Sequence, residues 1–220
     1  MPGTDHAPPR LLEACASWAR YLEDASGDAE RRAYVRRELP RLSADRPLFL
    51  EILRGIAEGA PYPDVHRPTL FPNEIVLYTH ERRLFSLRML LAEPGCSTPI
   101  HDHGSWGVIT PFAGALEVVH YELQGPGSEE SFPGLRATAR RILHPGEADE
   151  VHPLDEGIHR TGNAGQDTLV MLSVYGRPVR RPYVLGFDPE QDRVYRIYTP
   201  RTRKRMLARD VLGTAGDRDV

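Results

Sequence analysis

The sequence predicts a mainly β protein, a sandwich or barrel, preceded by a layer of about three α-helices. Three observations lead there. Apolar residues recur at helical spacing as far as about residue 56, and beyond residue 74 they fall instead into short runs between turn signals. A connector from Gly59 to Pro72, punctuated by four prolines, separates the two regimes. No convincing long helix interrupts the later runs, which argues against parallel strand–helix repeats.

Taken in order, residues 1–9 are proline-rich and read as a frayed terminus. Leu11, Leu12, Cys15, Trp18, Ala19 and Leu22 form the stripe of a first helix, with Cys15 a structural member of it. Ser26, Gly27 and Asp28 break that helix. Asp28 can cap a second one through Ala33, Tyr34 and Leu39, which Pro40 is expected to end. Asp45 followed by Pro47 opens a third, with Leu48, Phe49, Ile52, Leu53 and Ile56 inward. The strand-like runs then cover 75–79, 84–92, 106–110, 115–123, 137–143, 168–175, 183–187 and 194–198. Residues 124–134 read as a surface loop, and the tail from Arg201 as one short helix. The expected organisation is a single domain: helical layer 1–60, β-sandwich 75–200, tail 201–220.

Composition narrows the function classes. A chain of 220 residues, 40% hydrophobic and 27% charged, is long enough and apolar enough for one well-buried core. A net charge of −3 gives no general attraction to nucleic acid or anionic membrane, and the basic start of the tail is a short solvated face. No apolar run approaches a membrane span, and the N-terminus lacks a signal-peptide core. Cys15 and Cys96 make no disulfide framework. A cytoplasmic enzyme, monomer or homodimer, with no nucleic-acid or membrane partner, is the expectation.

The chemistry concentrates in Gly95–Gly114, GCSTPIHDHGSWGVITPFAG. Residues two apart on a strand share a face, so His101 and His103 can converge on one metal ion. A third histidine, His159, follows a glycine- and proline-marked turn far downstream. Imidazole suits iron, zinc, copper and nickel, and three imidazoles leave coordination positions open. Asp102 faces away from its neighbours and reads as a supporting residue rather than a ligand. His120, at a polar rim beside Glu117 and Glu122, and His152, in a loop, read as non-ligands.

These residues resemble the cupin superfamily and, within it, the cysteine dioxygenase (thiol dioxygenase) family. Gly95, His101, His103 and Gly114 match the first cupin signature; Pro153, Gly157, His159 and Asn163 match the second loosely. The usual cupin glutamate is absent, with Gly107 and Val108 in its region, and three histidines without a glutamate are what thiol dioxygenases show. IHDHGSWGVI, IHR at 158–160 and VYGRPVRR at 174–181 are closest to the bacterial 3-mercaptopropionate-type branch. The likeness spans about residues 75–190 and implies a cupin double-stranded β-helix (jelly-roll sandwich). It further implies Fe(II) held by His101, His103 and His159, with a small thiol and O2 as substrates and a sulfinate as product.

The departures from the family bear on the rest of the site. Its Ser-x-His-x-Tyr relay is here Met171, Ser173, Tyr175, so the resemblance leaves Tyr175 as the catalytic hydrogen-bonding group. The cysteine that crosslinks this tyrosine in animal enzymes is replaced by Gly107 or Val108, and an uncrosslinked tyrosine is expected. The arginine of the animal Tyr-x-Arg segment is replaced by His80, in the run Tyr78, Thr79, His80. The bacterial branch points to Arg181, with Arg180 beside it, as the substrate's carboxylate anchor, since a guanidinium makes paired hydrogen bonds to a carboxylate. His80, Arg180 and Arg181 are thus the candidate substrate-binding residues. Other readings stay open: a different metal cupin (another dioxygenase or an isomerase), or a non-catalytic cupin that binds a small ligand.

Overall fold

A computed structural model describes residues 6–64, 69–71, 73–125, 132–178, 181 and 183–216, the side chains of 213–216 excepted. Three helices come first, α1 (Pro9–Asp24), α2 (Asp28–Ser43) and α3 (Arg46–Glu58). Asp45 caps α3 by accepting from the Leu48 N–H, as its position before a proline-containing first turn leads one to expect. Pro40 does not end α2, which runs on to Ser43. A proline removes only its own N–H bond. In the last turn the following residues still bond forward, and the Ala44 N–H reaches the Pro40 carbonyl at 3.0 Å. The tail carries a longer helix than expected, α4 (Pro200–Gly216).

Eleven strands follow the helices: β1 (Glu74–Thr79), β2 (Phe85–Ala92), β3 (Ile100–His103), β4 (Gly107–Ala113), β5 (Leu116–Leu123), β6 (Leu135–Leu143), β7 (Asp149–Val151), β8 (Leu154–Asn163), β9 (Leu169–Gly176), β10 (Tyr183–Asp188) and β11 (Arg193–Tyr198). They form two antiparallel sheets, in the orders β1-β2-β9-β4-β7 and β11-β10-β3-β8-β5-β6. The mainly β two-sheet sandwich with an N-terminal helical layer is therefore the observed architecture. Eight strands coincide with the apolar runs of the sequence; β3, β7 and β8 do not.

The first sheet is covered on both faces, and its alternation shows how. On β2, Phe85, Leu87 and Met89 pack against Leu11, Trp18 and Phe49 of the helices, while Ser86 and Arg88 point to the opposite face. β9 divides in the same way. Val170, Leu172 and Val174 meet the helical layer, and Met171 meets a second apolar cluster with Ile109, Leu116, Val118 and Leu143 between the sheets. Burying these side chains from water at about 25 cal/mol per Å² holds sheets and helices together. What is left between the sheets at the Tyr175 end is not filled with apolar side chains.

Candidate metal centre

His101, His159 and His120 lie side by side on three adjacent strands of the second sheet. His101 pairs with His159 across β3 and β8, and His159 with His120 across β8 and β5. Directly opposed residues of an antiparallel pair share a face, so all three rings project between the sheets. His103 joins them from the next inward position of β3. The carbonyl oxygen of His152 passes where a Cβ on Gly157 would stand, at 1.7 Å, so only glycine lets the β7–β8 connection close against β8 two residues before His159.

The three predicted ligands come together. The coordinating nitrogens of His101, His103 and His159 all lie within 4.8 Å of one another, and the three residues are 2%, 7% and 2% exposed. The Nε2 atoms of His103 and His159 are 3.0 Å apart. That is about the separation of two nitrogens each about 2.1 Å from one ion and at a right angle to each other. The His101 Nδ1–H donates to the Pro99 carbonyl at 2.8 Å, which fixes that ring with its Nε2 lone pair free to coordinate. Burial drives all three imidazoles towards the neutral form that a ligand needs. His101 falls from 6.5 to about 4, and His103 and His159 fall well below the ordinary value, with their mutual repulsion adding to the effect. His159 Nδ1 is buried without a partner among the described residues. The donor set fits a divalent transition metal, and it contains no carboxylate.

A cavity of about 340 Å³ opens onto this cluster, lined by His101 and His103 and, from the first sheet, by Glu74, Arg88 and Tyr175. The Tyr175 ring stacks on His103 with centroids 5.5 Å apart and planes 18° apart. Gly107 is its cross-strand neighbour, and a Cβ there would meet the Tyr175 ring at 2.6 Å. The absence of a Cβ at Gly107 leaves the volume in which the Tyr175 ring sits. Burial, with the Glu74 charge adding, pushes the Tyr175 phenol far above its usual value against Arg88 and Ser173, so it stays protonated and can donate.

The predicted substrate residues fare differently. Arg181 lines the cavity, but its Nη2 donates to both Asp102 oxygens at 2.6 Å and its Nε to the Tyr183 carbonyl at 2.9 Å. Asp102 is fully buried and also accepts from the Leu185 N–H at 2.7 Å. Burial raises its carboxyl's pKa, against the pull of Arg181 and of the Leu185 N–H. Arg180 lies outside the described residues. His80 is not at the site, which corrects the expectation placed on it. A register shift between Val76 and Tyr78 reverses the facing of β1, so Glu74, Val76 and Thr79 point to the cavity. His80 is turned to the helices, stacked on Phe85, with its Nε2 3.8 Å from Glu23.

Sequence reasoning missed two groups. Arg88 carries no motif, and its place on the cavity face follows only from the alternation of β2. His120 keeps its reading as a residue outside the metal set. It is partly buried, its Nε2 lies 2.6 Å from Asp149 Oδ2, and its ring centroid is 6.0 Å from that of His159. His152 is a partly exposed loop residue, 3.7 Å from Glu156.

No family model matches the chain. Among solved structures it is similar to a cupin 2 conserved barrel domain protein from Salinispora arenicola, at 18% identity over 50% of this chain and 81% of that one, with a TM-score of 0.36. A cupin 2 domain-containing protein from Halorhodospira halophila is 19% identical over 50% of this chain and 67% of that one, with a TM-score of 0.38. An uncharacterised conserved protein with a double-stranded β-helix domain from Klebsiella pneumoniae is 19% identical over 51% of this chain and 83% of that one, at 0.35. Likeness at this level carries no argument about chemistry.

Proposed function

We infer that the protein is a thiol dioxygenase, holding Fe(II) on His101, His103 and His159 and oxidising a small thiol with O2 to its sulfinate. The observation that carries the reading is a buried set of three neutral imidazoles with no carboxylate, facing a cavity into which a protonated tyrosine projects. The absence of a carboxylate ligand suits an anionic substrate ligand on a divalent ion. Fe(II) held by His101, His103 and His159 would bind thiolate and dioxygen and would lower the thiol's pKa.

The balance is R–S⁻ + O2 → R–SO2⁻. Both oxygen atoms go to sulfur, which loses four electrons as dioxygen gains four. The chain's own residues do the rest. Asp102 sits outside the cluster and fixes the β3 backbone between the two ligands through the Leu185 N–H and Arg181. Tyr175, held flat on His103 and unable to ionise, donates a hydrogen bond to substrate oxygen as the sulfinate forms. Metal analysis with oxygen uptake across cysteine, 3-mercaptopropionate and cysteamine tests the reading. Bound iron with thiol-dependent uptake supports it, whereas another metal with thiol-independent turnover, or ligand binding without turnover, refutes it.

A further inference from the structure

Arg83, Arg88 and Arg181 line the cavity. Arg83 is exposed in the connection between β1 and β2, whereas Arg88 and Arg181 come from opposite walls and differ in how firmly they are held. Arg181 is committed. It is the counterion of a fully buried carboxylate, held by two 2.6 Å contacts, and swinging it to a ligand would leave Asp102 without that counterion and with only the Leu185 N–H. Arg88, on β2, is held more loosely. Its Nη1 is shared between the two Glu74 oxygens at 3.2 Å each, and its Nε donates to Ser86 Oγ at 3.2 Å. These are long for charge-assisted hydrogen bonds, which run about 2.7–2.9 Å. Nη2 of Arg88 and Nη1 of Arg181 alike have no hydrogen-bond partner among the described residues, so the difference lies in how firmly the rest of each guanidinium is held.

Its position is also the more useful one. The Arg88 guanidinium carbon lies 5.2 Å from the centroid of the Tyr175 ring, and that ring stacks on His103. Glu74 and Ser86 leave Nη2 of the guanidinium open beside the metal cluster. The two N–H groups of one nitrogen diverge, so a carboxylate takes one bond from Nη2 and the parallel one from Nη1, which Glu74 holds only at 3.2 Å.

We propose that Arg88, braced by Glu74 and Ser86, takes the carboxylate end of the substrate in place of Arg181. The proposal rests on the cavity being the substrate site, and it makes the preferred thiols acidic ones. Glu74 competes with the substrate for the same guanidinium, so the two members of this ion pair have opposite effects on binding. A pair that served only the fold would weaken every ligand from either side.

The test loads wild type, Arg88→Gln and Glu74→Gln with Co(II). It reads dissociation constants of 3-mercaptopropionate and cysteamine from thiolate-to-cobalt absorption, and of 3-hydroxypropionate by calorimetry. Arg88→Gln is expected to weaken both acids by about tenfold or more, the worth of one charged hydrogen-bonding group. Glu74→Gln tightens them by about threefold, and cysteamine moves in neither variant. Equal losses for acid and amine, or losses from both variants, overturn the anchor. Wild type that oxidises thiols while Arg88→Gln leaves the acid-to-amine ratio unchanged refutes the anchor and keeps the dioxygenase. Wild type whose metal takes no thiol, yet which loses 3-hydroxypropionate on Arg88→Gln, keeps the anchor and refutes the dioxygenase. No acid binding to wild type refutes the anchor outright.

Discussion

The two walls of the cavity are built on different principles. The wall from the second sheet is a row of histidines in register, His101, His159 and His120 on neighbouring strands, with His103 one inward step along β3. His101, His103 and His159 are buried and driven towards the neutral form, while His120 is partly buried with its Nε2 2.6 Å from Asp149 Oδ2. The wall from the first sheet holds Glu74, Arg88 and Tyr175, charged and hydrogen-bonding groups with donors to spare. The same two-residue periodicity places both sets. One wall gathers imidazoles that could hold a metal ion, and the other presents charged and hydrogen-bonding groups to the cavity.

The largest effect should come from breaking the histidine wall. His101→Ala, His103→Ala or His159→Ala each removes one of three donors and should abolish stoichiometric metal binding and activity together, while circular dichroism stays that of the folded protein. Full metal occupancy in any one variant would remove that residue from the set. On the opposite wall, Tyr175→Phe should lower turnover by roughly 10- to 1,000-fold, the range lost with one active-site donor, and leave metal content alone. Unchanged turnover would make Tyr175 a packing residue over Gly107 and nothing more.

The contrast between walls is also a contrast in what the sequence discloses. His101 and His103 are legible because a two-residue spacing within a glycine-framed run is a local pattern. Their strand β3 and its partner β8 were invisible as apolar runs, since LDEGIHRTGN is polar along one face and glycine-bearing, and only pairing makes it a strand. Arg88 sits in an unremarkable apolar run, and its role depends on Glu74 fourteen residues away and Tyr175 on another strand. His80 was misplaced because a single register shift in β1 reverses facing, and no residue type marks it. Pro40 was over-read for the opposite reason, since a helix breaker matters less in the last turn.

Two smaller effects sharpen the comparison through stability. With its imidazoles buried neutral, the metal-free protein binds fewer protons folded than unfolded between about pH 6.5 and the lowered folded values. His101's is about 4, so stability rises with pH across that window and is lost as pH falls through it. His101 alone accounts for on the order of 3 kcal/mol, and His103 and His159 act in the same direction. Denaturant midpoints of metal-free protein that stay flat from pH 7 to 4.5 would contradict this. Arg181→Met should cost about 2–3 kcal/mol by leaving Asp102 buried without its counterion, with the cost shrinking at low pH as that carboxyl protonates. A loss under about 0.5 kcal/mol would place Arg181 among ordinary surface arginines.

The most direct test of the central claim is the fate of the two atoms of dioxygen. Iron-loaded protein turning over a small acidic thiol under 18O2 should give a sulfinate carrying both labelled atoms, detected as a mass increase of about 4 Da over the unlabelled product, as the four-electron balance requires. Product with one labelled atom or none, or label recovered in water or peroxide, would contradict a thiol dioxygenase built on this triad.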